Sequence, residues 1–406
     1  MTRVDLADPG FWASPNRDEG FAILRRDDPV SFHRESEFTG DPDGPGFWSL
    51  VRHEDVVGAS RQPDLFSSAQ GFDIVDLPQE VRHLYGSLPA LDDPRHAELR
   101  GIVNRGFTPR AVARLRETVR EVAEGVLDAV AERDGEVDFV EAVAAPFPLR
   151  VICHLLGVPE EDHPFMLECT NVILGSTDPE YGGSIAAADG AAADLCEYGI
   201  ELARQRRGSD GGDLTTILGN AEVDGAPLAD AELGAYFLLL LTAGNETTRT
   251  ALTHGLLALC EHPEQMDAWR ADVDGLAPTA IEEILRWASP VMHFRRTATR
   301  DVVLRGQEIA AGDKVVLWYV SANRDERAFE RPDVFELRRT PNPHVAFGGG
   351  GAHFCLGASL ARLELRVMFS LLFERFAELE VAGAPVRLHS PFVNGIKRLP
   401  VQFTPA

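Results

Sequence analysis

The residues best placed to do chemistry lie together at 347–357, FGGGGAHFCLG, where four consecutive glycines, Gly348 to Gly351, run into His353, Phe354 and Cys355. A helical pattern follows at once. Its apolar positions Leu356, Leu360, Leu363, Val367 and Leu371 recur at three- and four-residue steps, so one face is buried. A glycine run lets the backbone turn tightly and present bare N–H groups. Cys355 stands where that loop meets a helix N-terminus, and free N–H groups with the positive end of the helix dipole favour a thiolate there.

A lone thiolate in such a place serves either as a nucleophile or as ligand to a metal that needs no second cysteine. Haem iron with one proximal thiolate fits the second use. Zinc fits poorly, because the chain has no CxxC and His353 with Cys355 is not a tetrahedral set. A single cysteine is ordinarily inert packing; here the loop and the helix around it favour a ligand.

Three further stretches carry candidate groups. The apolar pattern over Asp230–Cys260 predicts a helix of about thirty residues, far longer than the mean. AGNETT, Ala243 to Thr248, lies in its middle. Glycine inside a helix costs ~1 kcal/mol relative to alanine, so Gly244 either admits a close neighbour or marks a local opening. Glu246 and Thr247 follow in what should be buried helix, where a carboxylate is costly unless hydrogen-bonded or used. In LDDPRHAELR, Asp92 or Asp93 can cap a helix with Pro94 in its first turn, and His96 and Arg100 share one face. Together those two could hold a carboxylate, although a solvated charged face is the plainer reading of the residues alone. In EEILR, Glu283 and Arg286 are three apart and can pair, which contributes little on an exposed surface.

These groups need a large scaffold, and the composition supplies one. The chain has 406 residues, 44% hydrophobic, with a formal charge of −25. The acidic excess argues against nucleic acid as a partner. Five scattered cysteines (Cys153, Cys169, Cys196, Cys260, Cys355) show no framework spacing and suit a reducing cytoplasm. The N-terminus has no apolar signal-like core, and the longest apolar stretch, Leu233–Ala243, is too short to span a bilayer. The patterns predict strands at Val30–His33, Gly46–Arg52, Val302–Leu304 and Lys314–Tyr319, and a hairpin at Asn394-Gly395. Helices are expected at Phe21–Arg26, His53–Ser60, Ala111–Ala131, Val137–Leu156 (broken by Pro146 and Pro148), Glu160–Leu174, Gly183–Arg206 and Ala277–Trp287, the last started by Pro278. Ser67–Leu88 reads as a loop that can lie over a pocket. The sum is mainly α with small β-sheets: one domain over 1–406, β-rich near 28–52, 290–320 and 386–403, with a helical core from about residue 92.

DDPRHAELR, the AGNETT helix, EILR with a downstream arginine, and FGGGGAHFCLG occur in the order found in bacterial cytochromes P-450, which the chain resembles over nearly its whole length. The combination is specific where no single member is. The resemblance implies the cytochrome P-450 fold, a b-type haem, dioxygen as co-substrate, and monooxygenase activity. It implies that Cys355 is the thiolate ligand of the iron. Thr247 matches the helix threonine that takes part in oxygen activation, Glu246 its acidic neighbour in proton delivery, and Gly244 the residue that opens the helix over the haem. His96, Arg100, Arg296 and His353 match positions that hold the propionates. Phe347 and Gly357 belong to the haem loop. Glu283, Arg286 and Arg339 match a buried brace beneath the haem. One departure stands out: the family's loop phenylalanine lies seven residues before the cysteine, and Phe347 lies eight before Cys355, so the loop carries an extra residue. Similar glycine-rich loops occur in actinobacterial members that oxidise sterols and branched lipids.

A mostly apolar small molecule is therefore expected, in a pocket lined from the loop Gly71–Leu77 (Phe72, Ile74), the long helix (Leu239, Ala243), the segment Val291–Phe294 (Val291, Met292) and the turn at Phe392 and Val393. Electrons from NAD(P)H would arrive through a ferredoxin reductase and a ferredoxin. The docking face would be Arg105, Arg110, Arg114 and Arg116, with Arg362 and Arg366 after the cysteine. The protein is expected to be a monomer. Three alternatives stay open: a haem sensor without turnover, a peroxygenase, and oxidation of a carrier-protein-bound intermediate.

Overall fold

Helix Asp230–Glu261 runs for 32 residues through the middle of the structure, and most of its side chains are buried. It is apolar nearly all round because other helices cover most of it: Ile185–Gln205, Pro146–Leu156, Val273–Ala288 and Ala358–Arg375 all pack against it. At its N-terminus, Glu232 accepts from the Ala229 N–H at 3.1 Å and satisfies one of the amides a helix start leaves open. The largest apolar core surrounds this helix. The computed structural model describes residues 4–14, 16–37, 39, 41–76, 81, 83–133, 135–181 and 184–406.

A five-stranded sheet lies to one side, in the order Val30–His33, Phe47–Leu50, Lys314–Trp318, His293–Ala298, Phe66–Ser67. Every pairing is antiparallel except Phe47–Leu50 with Lys314–Trp318, which joins strands more than 260 residues apart in parallel register. Smaller apolar cores flank this sheet, one of them built on Trp12, Phe21, Phe47 and Trp318. Smaller sheets near the C-terminus include Phe376–Val381 with Pro400–Pro405 and Glu136–Asp138. The fold class is mainly α with small sheets.

Several elements differ from the sequence expectation. Pro146 starts helix Pro146–Leu156 and breaks nothing, because a first-turn residue has no helical partner for its N–H. Val137 lies in strand Glu136–Asp138 and is not helical. Ala111–Ala131 divides at Leu115 into Pro109–Arg114 and Arg116–Ala131. Pro278 sits inside helix Val273–Ala288, whose start is capped by the Asp272 side chain on the Gly275 N–H at 3.0 Å. Asn394-Gly395 is not a tight turn: Val386 pairs with Arg398 and Arg387 with Ile396, so residues 388–395 form a long connection. The Asn394 amide turns inward and donates to the Ala288 carbonyl at 2.6 Å.

Candidate functional site

The cysteine loop is closed by its own backbone. Cys355 N–H donates to Phe347 O at 3.0 Å, and Gly348 N–H to Val345 O at 2.9 Å. The glycines are there for close approach. Gly351 has φ +80°, and a Cβ on it would lie 2.5 Å from the Ser60 carbonyl oxygen; one on Gly349 would lie 2.6 Å from Ser60 Oγ. Helix His53–Ser60 thus packs directly on the loop. N–H groups of Gly357 and Ala358, at the start of helix Ala358–Arg375, reach the sulfur. Cys355 has accessible surface, yet protein encloses it closely, so that surface opens on an interior space. Burial pushes its thiol pKa up, and the Gly357 N–H, Arg100, Arg362 and the Ala358 N–H pull it back. Phe347 lies in the loop wall, with the Arg362 guanidinium 4.5 Å above its ring.

Beside the loop four basic side chains converge. The rings of His96 and His353 lie 4.3 Å apart. His353 Nε2 meets Ser68 Oγ at 3.1 Å, His96 Nδ1 meets Asp93 Oδ1 at 3.1 Å, and Arg100 donates to the Phe354 carbonyl at 2.6 Å. Burial, then Arg296 and His96, pushes the His353 pKa down to about 3. Asp92 and Asp93 do not cap the following helix with their side chains. Asp92 accepts from Ser67 and Ser68, and Asp93 holds His96. The solvated-face reading of His96 fails, because His96 is 2% exposed. Two features mark an anion site. His96 Nε2 is buried without a hydrogen-bond partner among the described residues. Arg296, also buried, donates to the Arg295 carbonyl at 2.7 Å and forms no ion pair among the described residues. Buried donors without acceptors are costly, and a ligand carrying two carboxylates, as haem does, supplies what they lack.

On the long helix, Leu239, Ala243 and Thr247 keep accessible surface at four-residue steps, with Thr242 and Gly244 half-buried beside Ala243 and most of the surrounding positions sealed. One face of a core helix therefore borders open space. The helix runs unbroken through Gly244, contrary to a local opening; a Cβ there would lie 2.9 Å from Ile152 Cδ1, so this glycine admits a close neighbour. Thr247 Oγ1 donates to the Ala243 carbonyl at 2.8 Å. Glu246 turns away from that face and pairs with Arg249 at 3.1 Å, both buried. A cavity of about 10 Å³, room for roughly one water, touches Glu246, Arg249, Asn171, Tyr181 and Lys397. Burial pushes the Glu246 pKa up and Arg249 pulls it back. Thr248 donates to Glu364 Oε2 at 3.0 Å, and burial drives that carboxyl up to about 8. Arg249 and Glu364 were not among the residues expected from sequence; their signal was a charge set inside an otherwise apolar helical pattern.

Glu283 and Arg286 are not an exposed pair. Both are 0% exposed, joined by two hydrogen bonds of 2.8 Å, and Arg339 Nε adds bonds of 3.2 and 3.0 Å to the same carboxylate. Arg286 also donates to the Asn323, Pro332 and Val334 carbonyls, which ties the segment before the cysteine loop to helix Val273–Ala288.

Of the expected pocket residues, Phe72, Val291 and Phe392 stay half-buried, as Leu239 does, and Ala243 is exposed. Ile74 and Met292 do not line a pocket: they are 1% and 0% exposed, sealed in the core around Trp12 and Trp318. Val393 is likewise buried, at 3%, and bridges Val291. Leu77 lies outside the described residues. Phe294, which points into the same region, meets Phe72 at 6.0 Å and Phe392 at 5.7 Å between ring centroids. Of the basic face, Arg110, Arg114 and Arg116 are exposed. Arg362 is bound by Glu282 at 2.6 and 2.7 Å and Arg366 by Asp274 at 2.8 Å, so these two are partly neutralised. The Arg105 side chain lies outside the described residues. No described helix is long and apolar enough to cross a membrane.

Known proteins share the sequence and the fold of this chain. Residues 200–398 match the family model for cytochrome P450. The chain is 48% identical over 405 residues to the methyl-branched lipid omega-hydroxylase of Mycobacterium tuberculosis, covering 99% of this chain and 95% of that one. It is 40% identical over 407 residues to the steroid C26-monooxygenase of Rhodococcus jostii, covering 99% and 85%. Among solved structures, a Mycobacterium marinum cytochrome P450 in complex with pseudoionone superposes with a TM-score of 0.95 at 42% identity, covering 98% of each chain.

Proposed function

This chain belongs to the cytochrome P450 family and is a haem-thiolate monooxygenase that hydroxylates apolar substrates, and from that premise we propose that it oxidises the end of a methyl-branched alkyl chain. The observation that carries the proposal is the mostly apolar, accessible face of Leu239, Ala243 and Thr247 on a helix that is otherwise largely buried, together with the half-buried aromatic wall of Phe72, Phe294 and Phe392. Such a space takes a slender hydrocarbon and offers it few polar handles. The relatives named for an omega position and for C26 both act, by their names, at a chain terminus, which fits a narrow approach.

When bound, the haem supplies dioxygen activation through its thiolate-held iron. The chain's own residues do the rest. Cys355 would be the sulfur ligand, and the Gly357 and Ala358 N–H groups with Arg100 and Arg362 offset part of the burial that disfavours its thiolate. His96, Arg100, Arg296 and His353 hold the two propionates and supply the acceptors that His96 Nε2 and Arg296 want. Phe347 and Gly357 shape the loop that would present the sulfur. Thr247 holds a transferable proton at Oγ1, and its bond to the Ala243 carbonyl must be given up for that hydroxyl to turn into the open space. Glu246 would pass protons from the water-sized cavity on the far side of the helix, which it lines together with Arg249. Gly244 lets the helix sit close on Ile152 and so fixes the height of this wall. Electrons come from NAD(P)H through a ferredoxin reductase and a ferredoxin that meets the exposed arginines 110, 114 and 116.

Turnover with NADPH, ferredoxin and reductase should convert a methyl-branched fatty acid to its terminal alcohol, identified by mass spectrometry. Oxidation at internal carbons only would defeat the terminal-position reading. Replacing Cys355 with His should abolish the reduced-CO absorption band of thiolate ligation; a surviving band would place the ligand elsewhere.

A further inference from the structure

The loop that carries Phe72 is held by charges that the chemistry above does not use. Lys314 and Arg295, on neighbouring strands of the five-stranded sheet, have side chains only 2% and 5% exposed. Buried cations are costly unless paired. Glu35 supplies one carboxylate, 2.9 Å from Lys314 Nζ. The others come from the loop. Asp76 lies 2.6 Å from Lys314 Nζ and 2.5 Å from Arg295 Nη1, and Asp73 lies 3.0 Å from Nε2 of the fully buried His293. Among the described residues Asp76 is the only carboxylate paired with Arg295.

Backbone contacts continue the grip. Arg295 N–H donates to the Phe72 carbonyl at 2.7 Å, and Lys314 Nζ to the Ile74 carbonyl at 3.2 Å. Ile74, between the two aspartates, plugs into the core. The loop is therefore fastened on both sides of Ile74 by carboxylates that keep 33% and 46% of their side-chain surface in water, while the basic partners have almost none. This asymmetry matters. The loop can release its aspartates to solvent at little cost, but buried Arg295 then loses the one carboxylate paired with it among the described residues and Lys314 keeps only Glu35, so the closed arrangement is favoured.

We propose that Asp76, with Asp73, is the positioning element that latches the 68–76 loop onto the sheet and so sets the Phe72 ring against Phe294 and Phe392. The proposal rests on the reading that this aromatic wall faces the substrate space. Without the latch the wall loses one of its three rings, and an apolar ligand loses its packing surface, while the haem and its sulfur ligand stay in place.

The test uses the haem-loaded protein and two readouts besides turnover. In hydrogen–deuterium exchange, Asp76→Asn and Asp73→Asn should each raise exchange in residues 66–76 about tenfold, with strands His293–Ala298 and Lys314–Trp318 unchanged. Asp76→Glu, which keeps the charge, should restore slow exchange. In spectral titration, Asp76→Asn should weaken 4-phenylimidazole about fivefold, because its phenyl body needs the wall, and leave imidazole unchanged. Exchange that stays at the wild-type rate, or rises evenly through every strand, overturns the latch. Equal weakening of both imidazoles, or of neither, overturns the positioning of Phe72. Failure of wild-type protein to bind either imidazole would instead count against the haem site itself.

Discussion

Glu364 offers the sharpest test of the interior electrostatics. It sits on helix Ala358–Arg375, 2% exposed, with the Thr248 hydroxyl donating to one of its oxygens at 3.0 Å. Burial lifts its pKa from 4.5 to about 8. The folded protein therefore holds a proton that the unfolded chain has lost throughout that pH range. Stability must fall as pH rises through the range, by about 1.4 kcal/mol per pH unit. Across the whole range this is on the order of 5 kcal/mol, present as full stability below the unfolded pKa and lost as pH passes the folded one. Glu364→Gln keeps shape and hydrogen bonding but cannot ionise. With an unfolding entropy of about 2.1 cal/mol/K per residue, 5 kcal/mol amounts to roughly 6 °C in a chain of 406 residues. Thermal unfolding of both haem-loaded proteins from pH 5 to 9 should give nearly equal Tm values at pH 5. The glutamine variant should then lead by several degrees at pH 8.5. Parallel Tm curves for the two proteins would refute the buried proton, because cofactor and all other titrating groups are common to both.

Other substitutions probe the remaining parts. Glu283→Gln leaves two buried arginines short of a counter-charge and should cost about 3–5 kcal/mol, read as a lower denaturation midpoint; an unchanged midpoint would mean the brace carries no stability. His96→Ala removes a hydrogen bond to a charged group, worth about 1.5–3 kcal/mol, and should speed haem transfer to apomyoglobin at least tenfold if Nε2 holds a propionate. Gly351→Ala forces a side chain into a positive-φ site 2.5 Å from the Ser60 carbonyl and should lower the ratio of Soret to protein absorbance, whereas full haem content would show the loop can yield. Thr247→Ala should divert reducing equivalents into peroxide, measured as hydrogen peroxide formed per NADPH consumed; a wild-type ratio would remove Thr247 from proton delivery.

The order and spacing of a few short stretches marked the cysteine loop and the long helix, and through the family resemblance they singled out the four basic residues that the fold brings together beside the loop. The loop and the helix rest on local rules, a glycine run before a helix start and a charge inside an apolar helix; the spacing of His96 and Arg100 by itself favoured a solvated face, and only the resemblance grouped them with Arg296 and His353. What side chains do across the fold was not legible. Glu246 and Thr247 adjoin in sequence, yet a helix turns neighbouring residues about 100° apart, so one faces Arg249 and the other the open space. Whether Ile74 or Phe72 borders the pocket depends on which side of the loop the sheet draws inward, and that is decided by Lys314 and Arg295, more than 200 residues away. Likewise the glycine run looks like a device for exposing N–H groups until Ser60 is placed against it. Sequence by itself determined which groups are present and which chain segments carry them; only the tertiary structure decided their partners, because burial and counter-charge come from residues remote in the chain.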